Sequence, residues 1–105
     1  MMEVLTVVWG SGSCDDRGNA HAFCGVHGIY KSEKSAQQGL EECKDEILRE
    51  TLESLCFDED EDPADHMNEV QVYGSVTDGY FEIDYTLGDE PAEVYIGIVN
   101  AYVQD

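Results

Sequence analysis

Residues 70–87 read Val-Gln-Val-Tyr-Gly-Ser-Val-Thr-Asp-Gly-Tyr-Phe-Glu-Ile-Asp-Tyr-Thr-Leu. Val70, Val72, Gly74 and Val76 alternate with Gln71, Tyr73 and Ser75; Phe81, Ile83, Tyr85 and Leu87 alternate with Tyr80, Glu82, Asp84 and Thr86. A period of two is the side-chain repeat of an extended strand. Thr77-Asp78-Gly79, between the two runs, has the residues of a tight turn. The stretch predicts an antiparallel hairpin with one apolar face, so the fold turns on what covers that face.

Downstream, residues 88–92 turn the chain again, and Val94, Ile96 and Ile98 alternate with Tyr95, Gly97 and Val99. This last strand is partly apolar on its second face too. Upstream, Ser32 is a candidate N-cap, and good helix formers run from it to Cys56, enough for about six turns. Ala36, Leu40, Cys43 and Ile47 fall on one stripe of that helix. Leu48, Leu52 and Leu55 form a second stripe about a third of a turn away. Those leucines either continue the core or offer a surface for a homodimer. At the N-terminus, residues 3–9 read as a strand, residues 10–19 have loop composition, and residues 20–30 form a second apolar run, together a long-looped hairpin. The expected fold is one α+β domain over residues 1–105 in the order β-β-α-β-β-β, with one helix packed on a largely antiparallel five-stranded sheet.

The composition is globular, at 42% hydrophobic and 10% aromatic residues, and so argues against a disordered acidic tail. The charge is the anomaly. Twenty-four acids face five Lys and Arg, for a net charge of -19. All five bases (Arg17, Lys31, Lys34, Lys44, Arg49) lie in residues 1–49, which balance at −3; residues 50–105 carry −16 with no Lys or Arg. Such a chain repels nucleic acid and anionic membranes, so direct binding to either is not expected. Neither a secretion signal nor a membrane span is legible, and Cys14, Cys24, Cys43 and Cys56 read as reduced thiols of a cytoplasmic protein.

Several site patterns compete. Asp58, Asp60, Asp62 and Glu69 have the spacing of a calcium loop, making calcium binding by residues 58–69 the main alternative function. Pro63, however, stands where such a loop needs glycine. His21, Cys24 and His27, with Cys14, suggest zinc by type, but strand alternation sends Cys24 to the face opposite the histidines. No nucleophile elbow, phosphate loop or dinucleotide motif is present, so neither catalysis nor a cofactor nor a bound metal is expected. Glu82 and Asp84 project from one strand face about 7 Å apart, flanked by Tyr80, and acids so spaced on a rigid element can stand where phosphates would.

The junction Gly28-Ile29-Tyr30-Lys31-Ser32-Glu33-Lys34-Ser35-Ala36 resembles one in short phage proteins. With the charge, it makes the chain similar to small acidic DNA-mimic inhibitors of the anti-restriction and anti-CRISPR type. That resemblance implies binding to a basic nucleic-acid-handling protein, a nuclease, restriction or CRISPR effector or repair enzyme. The expected contacts are Asp58, Glu59, Asp60, Glu61 and Asp62, with Tyr80, Glu82 and Asp84.

Overall fold

In the computed structural model the described residues are 2–14, 20–56, 58, 60–87 and 90–103. Five strands, β1 (Met2–Cys14), β2 (Ala20–Tyr30), β3 (Gln71–Ser75), β4 (Tyr80–Leu87) and β5 (Glu90–Val103), form one sheet in the order β2-β1-β5-β4-β3. Every neighbouring pair is antiparallel. Helix α1 (Glu33–Ser54) joins edge strand β2 to edge strand β3, and a short 3-10 helix, η1 (Pro63–Glu69), precedes β3. The fold is the α+β arrangement anticipated, with one main helix on a five-stranded antiparallel sheet.

Local chemistry sets the element boundaries. Ser32, in extended backbone, accepts a hydrogen bond from the Ser35 amide through its side chain (3.2 Å) and so starts α1. The β3–β4 turn closes on Gly79, whose φ of +81° lies in the left-handed region open to glycine, and whose amide donates back to the Ser75 carbonyl at 3.1 Å. Residues 10–14 belong to β1 and are not loop, contrary to their composition. β1 lies between β2 and β5, so the ladder hydrogen bonds of two neighbours hold Gly10, Ser11 and Gly12 extended despite their low strand propensity.

The core lies between α1 and one sheet face. Val7, Phe81, Ile83, Val94 and Ile96 meet Leu40, Cys43, Leu52 and Leu55, and the largest wholly buried side chains are Leu40, Ile83 and Ile96. Each contributes about 1.5–3 kcal/mol by leaving water. The helix comes close because residue 39 is glycine: a Cβ there would lie 2.3 Å from the Tyr30 ring. Lys44 reaches over the Phe81 ring, 5.4 Å from its centroid. Leu52 and Leu55 are 8% and 5% exposed, and Leu48 packs against the same cluster. Of the two readings open for Leu48, Leu52 and Leu55, continued core or homodimer surface, their burial supports the core. The second stripe follows the twisting sheet and is spent on the core.

The radius of gyration, 15.6 Å, exceeds the roughly 13 Å typical of a chain this size. The cause is strand length: the 14 residues of β5 extend about 46 Å, close to the longest dimension of 49 Å.

Candidate functional site

Strand register determines what shares the sheet face opposite α1. Tyr73 of β3 pairs with Glu82 of β4, Glu82 with Tyr95 of β5, and Tyr95 with Gly10 of β1, which pairs with Cys24 of β2. Two residues along, Gln71 pairs with Asp84, Asp84 with Glu93, and Glu93 with Gly12. The face thus carries two polar rows. Carboxylate oxygens of Glu82, Asp84 and Glu93 lie within 4.8 Å of one another. The Tyr95 hydroxyl donates to Glu93 at 3.1 Å, and Tyr73 donates to Gln71 at 2.5 Å.

Crowding three acids without a base has electrostatic consequences. One oxygen of Asp84, Oδ1, is buried without a hydrogen-bond partner. Loss of water around Asp84, then repulsion from Glu82 and Glu93, holds its carboxyl above the usual range. Tyr95 is pushed upward as well, because its phenol hydrogen-bonds to the carboxylates of Glu82 and Glu93 and its ionised form would be repelled by both. The phenol therefore stays protonated and keeps its proton for donation.

Beside these rows the face becomes apolar. A shallow groove with almost wholly apolar walls runs along Val8, Gly10, Val26, Tyr80, Tyr95 and Gly97. Gly10 and Gly97 leave its floor without side chains. Tyr80 and Tyr95 are 49% and 50% exposed, and Val26, Ile29 and Val99 lie open as well. The open face is thus an apolar strip edged by a tyrosine-rich acidic cluster.

The acidic loop forms a separate group. The Asp62 side chain accepts from the Ala64 amide at 3.0 Å, capping η1, and Glu61 accepts from the Asp58 amide at 3.3 Å. His66 lies between two acids, with Nδ1 hydrogen-bonded to Glu69 and Nε2 3.7 Å from Glu61. The hydrogen bond to Glu69 raises the His66 pKa, outweighing the opposing effect of burial. Burial and the surrounding acids, Glu61 first among them, push the Cys56 thiol up.

The predicted contact residues thus fall in two places. Glu82 and Asp84 share a cluster, with Tyr80 on the groove beside it. Asp58, Asp60, Glu61 and Asp62 belong to the loop between α1 and η1, and Glu59 lies outside the described residues. The calcium spacing does not assemble as a calcium loop: Asp62 is turned to cap η1, and Glu69 is held by His66. Cys24 is exposed, whereas His27 is the unpaired residue of a bulge in β2, 4.0 Å from Glu46 on α1. The side chains of His21 and Cys14 lie outside those described. Sequence reasoning missed Glu93 and Tyr95. The alternation of residues 93–99 holds the signal, but it becomes legible only once β5 is paired with β4. Among the described residues no helix is long and apolar enough to cross a membrane. Compared with protein-family models, with curated proteins and with solved structures, the chain matches none.

Proposed function

We propose that this domain is an acidic protein-binding module that inhibits or regulates a basic nucleic-acid-binding protein, such as a nuclease, a restriction or CRISPR effector or a repair enzyme, by standing in place of DNA. It acts in the cytoplasm, by binding and without catalysis. The observation that carries the reading is the Glu82–Asp84–Glu93 cluster, mounted on paired strands in a half of the chain without Lys or Arg. Carboxylates so held present a fixed array of negative charge at little ordering cost, as a phosphate backbone does. Their repulsion works against the fold, and a cationic partner relieves it. Long-range attraction between a charge of -19 and a basic cleft makes association fast and salt-sensitive. Tyr80 and Tyr95 anchor the contact beside the acids, and Asp58, Glu59, Asp60, Glu61 and Asp62 supply a second acidic stretch.

The test is affinity capture from host lysate with the wild-type domain and with the triple variant Glu82→Lys, Asp84→Lys, Glu93→Lys. The expected result is a discrete nucleic-acid-binding protein, released by competing duplex DNA and no longer captured by the variant. Capture indifferent to both DNA and charge reversal overturns the reading, and so does recovery of only a diffuse set of basic proteins that elute at low salt.

A further inference from the structure

Cys56, Glu61 and His66 bring one sulfur, one oxygen and one imidazole nitrogen within 4.8 Å of one another. Their spacing in sequence, Cys-x4-Glu-x4-His, matches no familiar metal motif. Folding assembles them. Cys56 directly follows Leu55, the C-cap of α1; His66 lies in η1; and η1 packs against α1. We propose that these three side chains bind a divalent ion of the zinc class, with solvent completing the coordination.

Three further observations support the site. First, the donor set discriminates: thiolate and imidazole suit zinc or cobalt, whereas calcium and magnesium require oxygen. The bond lengths around zinc place tetrahedral donors about 3.5 Å apart, against the 4.8 Å within which the three ligand atoms already lie. Second, His66 is already oriented. Glu69 holds Nδ1 and leaves Nε2 directed toward Glu61, at a 3.7 Å separation too long for a hydrogen bond. A carboxylate on the far nitrogen is the usual outer partner of a zinc-bound histidine. Third, the field favours a cation: Glu61, Asp62, Glu53 and Asp65 all act on Cys56, and residues 50–105 contain no Lys or Arg to compete. In the metal-free domain the Cys56 thiol donates to the Leu52 carbonyl at 3.5 Å, a bond that metal binding replaces. The site shares Glu61 with the second acidic stretch of the partner-binding reading, but its metal chemistry does not rest on that reading and stands if it fails.

The test is titration of the reduced, metal-free domain with Co2+, followed by optical absorption. One equivalent should produce a thiolate-to-cobalt charge-transfer band and the visible bands of tetrahedral cobalt. One equivalent of Zn2+ should abolish both, and a large excess of Ca2+ should not. Cys56→Ser should eliminate the charge-transfer band. His66→Gln should weaken binding at least about 100-fold, and Glu69→Gln about 10- to 100-fold as an outer-shell change, in variants whose circular dichroism matches wild type. Absence of the band in the wild-type domain overturns the proposal, as does its persistence in Cys56→Ser, which would place the metal on another cysteine.

Discussion

On one side of the sheet Val7, Ile83 and Ile96 are sealed beneath α1; on the other, residues adjacent to them in sequence, Val8, Glu82, Asp84 and Tyr95, face away from the helix. The strands are the same and the alternation is the same. The covered face repeats one theme, apolar against apolar. The open face varies by row, from Val26 and Val8 through Tyr95 and Glu82 to Glu93 and Asp84. The covered face is thus committed to stability. The open one carries a charge arrangement that opposes the fold.

The largest way to break that contrast is truncation of the covered face. Leu40→Ala should cost about 3 kcal/mol because Leu40 is 0% exposed, whereas Val99→Ala on the open face should cost less than about 0.5 kcal/mol. Urea unfolding measures both, and equal losses would show that the open face is also structural. Next comes Gly39→Ala, whose added Cβ meets the Tyr30 ring. The expected loss is about 2 kcal/mol, shrinking or reversing in a Tyr30→Ala background, where alanine's better helix propensity tells. The same unfolding assay, run as a double-mutant cycle, reads the coupling. Removing the cap that starts the covering helix, Ser32→Ala, should cost about 1 kcal/mol.

The smallest effect has the opposite sign. Asp84 has its carboxyl pKa raised in the folded state, by burial first and then by Glu82 and Glu93. The fold is therefore penalised while Asp84 is ionised, above that raised value, and the penalty disappears as pH falls below the ordinary carboxylate range. Asp84→Asn should raise Tm by a few degrees at pH 7, with the advantage fading on acidification and only its smaller part, from Glu82 and Glu93, fading in high salt, even as the proposed partner binding weakens. Thermal scans across pH and salt check this. A variant less stable than wild type at pH 7 would mean that the Asp84 carboxylate supports the fold.

Much of this was legible in advance where the signal is local. The period-two runs gave away β3 and β4, Ser32 marked the start of α1, and Gly79 marked the turn. Residues 10–14 misled, because their glycines and serines argue for a loop while their two neighbouring strands impose extension. Leu52 and Leu55 allowed two readings, since helical periodicity shows which residues share a stripe but not what that stripe meets. Glu82 and Asp84 stood out on their strand, whereas Glu93 and Tyr95 lie on another strand and could not be joined to them by spacing.

By itself, then, the sequence determined the one main helix, the β-β-α-β-β-β order and the uncompensated negative charge of residues 50–105, because periodicity, capping and charge balance are properties of neighbours along the chain. The placement of β5 between β1 and β4 was decided by tertiary structure, and with it the meeting of Glu93 and Tyr95 with Glu82 and Asp84. So was the folding of η1 onto α1 that sets His66 beside Cys56 and Glu61. Both depend on pairing and packing between segments far apart or differently structured in the chain, where burial of the shared core, and no local preference, selects the arrangement.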